Sequence, residues 1–466
     1  MNKHFLNSIL TTASTLALTI GTTAYGSPVT HITNGTADIA AGTGFTNGPF
    51  VSNDNIQLGN ASDNITIDAD VTIGYISNGG FTPTGVITVT SAGSGSIITN
   101  SDFIPLVVQN NVTSLVTSSE NIIRSITIGN NSYVTFNDPN PSGEDTLGSP
   151  VNINGASAGE GTITMNGTNL YGGGSFGGST SLAAVNFNGN INNSIGAINA
   201  TTVNLNTNAT IDEVTATTLN IISGNPNFDG NLTATTLNIQ NGSASVGQNA
   251  SPTLTNINFQ NQNSALNIQG YTVPGNLVNT YGSKGSTALN SSNNQTSTFA
   301  GNVGTAASPI SAVNFVADQI LGFDASNTGS NIINIYAPIT TATNNTGTFQ
   351  PYNGTINTFY DIGTSSDAIK NISLNYDSTW SNRDAALIIN SGDGKQRSIY
   401  APITTNANVH NAVTTNNTSV AFYQNIGANG ASLTNLSFNG TGVETISFGS
   451  AVSTIMQIAL LLTMLQ

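Results

Sequence analysis

The chain has no cysteine in 466 residues. No disulfide, thiolate nucleophile or cysteine-ligated zinc is therefore available to it. Charge is almost as scarce: 6% of residues are charged, against about 25% in an ordinary soluble protein. Seven Lys and Arg stand against 22 Asp and Glu, for a formal net charge of −15. Binding a nucleic acid needs a basic footprint to neutralise phosphates. Arg124, Lys284, Lys370, Arg383, Lys395 and Arg397 are all that follows Lys3, so nucleic acid is excluded as a partner. Attraction to anionic surfaces fails for the same reason. Tryptophan occurs once, at Trp380, and histidine three times.

Asn, Thr, Ser and 49 glycines take the place of the missing charge. All four are poor helix formers, while Thr, Val, Ile, Phe and Tyr favour strands. An all-β chain rich in turns is expected. Residues 1–26 read as an export signal. Lys3 and His4 precede an apolar, threonine-rich core from Phe5 to Ile20, and Ala24-Tyr25-Gly26 supplies small residues before Ser27. The core is shorter than the ~20 apolar residues of a spanning helix.

A fine repeat runs through "AAVNFNG", "ATTVNLN", "ATTLNII", "ATTLNIQ" and "LTNINFQ". Its centres are Val185-Asn186-Phe187, Val203-Asn204-Leu205, Leu219-Asn220-Ile221, Leu237-Asn238-Ile239 and Ile257-Asn258-Phe259. They recur at near-even intervals, on the scale of a solenoid rung of roughly 20 residues. Alternation puts both apolar side chains on one face and the Asn on the other. One such strand cannot bury its face alone, whereas stacked copies form a continuous apolar stripe. The period is that of a right-handed parallel β-helix, or β-solenoid, with irregular Asn/Thr/Gly-rich rungs.

A coarser repeat overlies the first. "VGTAASPISAVNF" (Val303 to Phe315) has counterparts at Ile362 to Leu374 and Ile426 to Phe438, and a slightly longer copy at Val246 to Phe259. Gly247, Gly304, Gly363 and Gly427 mark the four copies. At ~20 residues per rung their spacing predicts about three rungs per copy. "IYAPITT" occurs at Ile335 to Thr341 and again at Ile399 to Thr405. Aromatic strands carrying Phe299, Phe359-Tyr360 and Phe422-Tyr423 precede three of the glycines. The glycines are expected at corners, with Pro252 and Pro309 ahead of strands and Val313 and Phe315 pointing inward.

The chain divides into the signal 1–26, an irregular β-solenoid region 27–150, a repeat-bearing region 151–446, and an apolar tail 447–466. "DPNPSGED" (Asp138 to Asp145) reads as a linker. Ala451 to Gln466 lacks charge and favours helix; it is read as an end cap or as the remnant of a shifted reading frame. About twenty rungs at ~4.8 Å make a rod on the order of 100 Å long.

The phrase V/I-G-x-x-x-S-P-L/I-x-x-V/I-x-F, followed by "IYAPITT"-like and "TFxGxIG"-like text, resembles the passenger region of rickettsial surface-antigen autotransporters, the outer membrane protein B and A group. "DADVTIGYISNGG" (Asp68 to Gly80) is similar to an early passenger segment of that group. The resemblance covers roughly 60–450. It implies a secreted, surface-displayed β-solenoid acting as adhesin, surface antigen or surface-layer material. The partners it implies are a host-cell receptor or neighbouring copies. The expected place is the cell surface, outer membrane or extracellular space, or the periplasm for a truncated product. The closing translocator barrel of such proteins has no counterpart in these residues.

Local motifs for chemistry are weak. "GASAG" (Gly155 to Gly159) fits G-x-S-x-G around Ser157, but the elbow needs a strand-to-helix turn and a downstream base, and only His410 follows. "GGGSFG" (Gly172 to Gly177) lacks the βαβ context of a phosphate cradle. His31 and His410 are too few for zinc. Asp63, Asp68 and Asp70 are the densest carboxylates, with Asp68 and Asp70 expected on one exposed face. Asp393, Lys395 and Arg397 in "SGDGKQR" are what a polysaccharide lyase reading would have to use, and they read more simply as a turn. No catalytic, cofactor or metal residue is assigned; the expected function is non-enzymatic.

Overall fold

The computed structural model describes most residues between Val29 and Met464. Residues 1–28, 465–466, 78–85, 91–95, 99–104, 118–124, 138–144, 147–151, 281–287, 292–295, 375–384, 406–410, 428–431 and 441–444 lie outside it, with other stretches of one to four residues. The expected export signal and almost all of the expected linker fall there.

Short strands of alternating burial follow one another, and every strand-to-strand pairing among the described residues is parallel. The apolar alternation is the cause: Val203 and Leu205 point inward while Thr202, Asn204 and Asn206 face out. Each strand pairs with one about a turn earlier and one about a turn later. The chain is a parallel β-helix.

Eighteen successive pairings join nineteen levels of one continuous ladder, from Thr36–Asp38 to Gln457–Met464. At ~4.8 Å per level the stack rises about 90 Å. Inside runs a single apolar core. Rings meet edge to face along it in places: Phe299, Phe323 and Phe349 lie on successive levels, with centroids 6.2 and 5.5 Å apart.

From about residue 265 the chain visits three faces in a fixed order. Ile333 and Ile335 lie on the first face, Ile339 on the second, Phe349 on the third, and Ile356 on the first again. On the first face Val303, Ile335, Thr358, Ile389, Thr415 and Phe438 succeed one another, at uneven intervals along the chain. Turns in this half are longer than the ~20 residues taken from the fine repeat.

The coarse repeat consequently does not span three rungs. Val303 lies on the first face, Ile362 on the second and Ile426 on the third. Their strands follow suit, with Phe315 on the second face, Leu374 on the third and Phe438 on the first. From Val303 onward each copy therefore advances two turns and one face, whereas Val246 of the first copy lies on the second face and does not fit that order. "IYAPITT" obeys the same rule. Its first copy turns the corner from first to second face, and its second copy the corner from second to third.

Gly304, Gly363 and Gly427 have φ of 70°, 71° and 73°, and each N–H donates to the level below, at Leu277, Ile339 and Ile403. A Cβ on Gly304 would stand 3.0 Å from the Tyr336 carbonyl, and one on Gly363 2.8 Å from that of Tyr400. Gly247 is not among the left-handed residues, so the first copy matches in wording and not in backbone. Pro309 precedes the strand Ala312–Phe315, in which Val313 and Phe315 are fully buried, as expected.

The tail departs from its sequence reading. Gln457–Met464 is a strand, paired in parallel with Leu433–Gly440, and not a helix. Leu and Met favour helix locally, but an unpaired sheet edge offers a complete set of backbone partners, and tertiary pairing overrides propensity.

Candidate functional site

The outward surface is where such a molecule can act, and its most regular part is built by the fine repeat. Val185, Val203, Leu219, Leu237 and Ile257 stack in register on the inside. The neighbouring Asn186, Asn204, Asn220, Asn238 and Asn258 stack outside. Each amide donates to the one below: Asn204 to Asn186 at 2.7 Å, Asn220 to Asn204 at 2.7 Å, Asn238 to Asn220 at 2.8 Å, and Asn258 to Asn238 at 2.9 Å. Asn186 in turn donates to the Thr164 hydroxyl at 3.1 Å. Asn is suited to this role because its amide both donates and accepts along the stack.

Beside the ladder the alternation slips by one residue. Two successive side chains face outward at Thr201-Thr202, Thr217-Thr218, Thr235-Thr236 and Thr255-Asn256. These pairs form a ridge next to the ladder, of hydroxyls save for Asn256.

A second cluster lies at the corner between second and third faces. Tyr400 and Tyr423 stack with centroids 4.1 Å apart. Burial pushes the Tyr400 phenol upward, helped by the Tyr423 hydroxyl and the Asp361 carboxylate. Asp361 accepts from the Ser398 N–H at 3.0 Å. Arg397 points inward beside Ile399, with a side chain only 5% exposed. Its guanidinium pairs with Asp393 and lies 5.2 Å from the centre of the Tyr360 ring. Burial pushes the Asp393 carboxyl up, but the Lys395 N–H and the Arg397 charge outweigh it and hold the group below its usual value. The turn expected at "SGDGKQR" is present, but the sequence reading missed that Arg397 is buried. Alternation back from Ile399 is the signal that could have found it.

The other candidate residues are not brought together. Gly155 ends one strand and Glu160 begins the next, so Ser157 sits in an exposed strand-to-strand turn. His410 lies outside the described residues. In "GGGSFG", Ser175–Phe176 is a strand whose Phe176 ring is buried against Phe187. Asp63 is 2% exposed and accepts from the Gly59 and Asn60 N–H groups at 2.8 and 2.7 Å, closing a turn. Asp68 is exposed, and Asp70 lies outside the described residues. His31 is in the strand Val29–His31. Among the described residues no three of His, Cys, Asp and Glu gather as metal ligands would.

No protein-family profile, no characterised protein and no solved structure matches the chain.

Proposed function

We propose that the protein is a non-enzymatic, surface-displayed β-helix of the autotransporter-passenger type, serving as an adhesin or surface antigen toward host cells. The observation that carries this reading is the parallel ladder, about 90 Å long, whose fine-repeat levels turn amides and hydroxyls outward. Such a stack holds a long surface away from its point of attachment, and each level repeats the contacts of the last. The repeated corner phrases support the same reading, because their wording resembles that of rickettsial passenger regions. The signal-like residues 1–26 support export.

Saturable binding of the purified protein to host cells is the expected result. Binding that rises linearly with concentration would remove the adhesin role. A structural surface-layer role, with neighbouring copies as partners, is the second reading. It is favoured by the charge-free face of the fine repeat.

A further inference from the structure

The five strands Leu182–Asn188, Ile198–Asn206, Val214–Ser223, Leu232–Ile239 and Thr253–Phe259 contain no Asp, Glu, Lys, Arg or His. Their outward side chains are the Asn ladder and the Thr ridge, save for an occasional Ala or Ile. Exposed Glu213 precedes Val214 at one end of the third strand, and Glu160 opens the adjacent strand opposite Leu182, so acids border the face and none lies within the five strands. We infer that this face is a self-association surface, on which a second copy of the chain seats by a two-fold, level-for-level contact of Thr and Asn side chains.

Three observations point to a second copy. The first is charge. Copies carrying −15 each repel wherever acids meet, and this face is free of them. The second is complementarity. Hydroxyls and amides both donate and accept, so the face can pair with itself, and an isologous contact requires that. Its side chains recur at every level, so two copies match in register over the whole patch, as facing sheets do in polar zippers. The third is extent. Five levels at ~4.8 Å, by six to nine residues at ~3.3 Å, give roughly 500–700 Å² per partner. The total of about 1,000–1,400 Å² reaches the size of specific interfaces.

This inference is independent of the adhesin reading and deepens the surface-layer one, since it names the face by which neighbouring copies meet. Cell binding can fail while the dimer stands, and the reverse.

Sedimentation velocity of the full-length chain tests it. A reversible dimer is expected, tightening as salt rises because screening weakens the repulsion between acidic copies. The double substitution Thr217→Lys/Thr235→Lys lies at exposed positions. It lowers the overall negative charge, yet should weaken the dimer at least tenfold by facing like charges across the contact, with the circular dichroism unchanged. In a chain without cysteine, Thr217→Cys should oxidise to a covalent dimer, and Ser330→Cys, exposed elsewhere, should not. A monomer at every concentration and salt would overturn the inference. So would a lysine variant that pairs as tightly as the parent, or Ser330→Cys cross-linking as readily as Thr217→Cys. Capture of the monomer by neutral polysaccharide beads, lost in the lysine variant, would give the face to a glycan instead.

Discussion

Tyr336 and Phe359, on adjacent levels, stack face to face with ring centroids 4.0 Å apart and planes 10° from parallel. Tyr400 and Tyr423 have the same separation in sequence and repeat the contact at 4.1 Å and 4°. The first stack lies at the corner between first and second faces, the second between second and third. One sequence phrase thus makes the same contact on successive corners of the molecule.

The corner glycines offer a controlled comparison. Gly363 and Gly394 share a φ of 71°, but a Cβ on Gly363 meets the Tyr400 carbonyl while one on Gly394 has nothing within 4 Å. Gly394→Ala should cost about 1 kcal/mol, the penalty of the left-handed backbone alone. Gly363→Ala should cost clearly more in denaturant unfolding. Equal costs would mean that the corner does not pack against the next level.

Asn220 sits mid-ladder, accepting from Asn238 and donating to Asn204. Asn220→Ala leaves one donor and one acceptor without partners in a half-buried row. A loss of about 1–2 kcal/mol in unfolding free energy is expected. Asn188→Ala, at an exposed position with a single side-chain bond to Asn166, should cost less.

Arg397 makes stability depend on pH. The folded Asp393 carboxyl lies below its usual value, so its contribution is complete above the unfolded value of about 4. It is lost as pH falls through the folded one. Asp393→Asn should remove this acid-side dependence and cost about 1–3 kcal/mol at neutral pH, because the buried guanidinium then lacks its carboxylate. The half-exposed pair Lys370–Asp318 should contribute under about 1 kcal/mol. Urea unfolding from pH 2.5 to 7 separates the two.

Interior rings should matter more than any polar contact. Phe323 is fully buried between Phe299 and Phe349. Phe323→Ala should cost about 3–5 kcal/mol. Contacts in a stack are made with neighbouring levels, so hydrogen exchange should rise around residues 297–352 and stay unchanged near the Asn ladder.

Much of this was legible in the sequence because a strand period of two and a recurring phrase are local signals. Val203-Asn204-Leu205 and its relatives stack as their alternation requires, and Gly304 and Phe315 take the corner and inward places read for them. What was missed depends on turn length and on partners far along the chain. Nothing local to Ile362 says that it belongs one face on from Val303, since that follows from the uneven lengths of the turns between them. The strand at Gln457–Met464 exists because Leu433–Gly440 offers it an edge. Arg397 is buried because strand phase turns it inward, whereas "SGDGKQR" reads as a solvated turn. The outward Asn residues were placed correctly, but their bonding to one another depends on register.

Disulfide mapping tests the stacked path most directly, since the chain has no cysteine to interfere. Backbones of adjacent levels lie ~4.8 Å apart, within reach of a disulfide. The account predicts that Tyr336→Cys/Phe359→Cys and Tyr400→Cys/Tyr423→Cys each oxidise within one chain while the fold persists, and that Tyr336→Cys/Tyr400→Cys stays reduced. A cross-link in the last pair, with none in the first two, would place the repeated phrases on one corner and contradict the face-by-face advance.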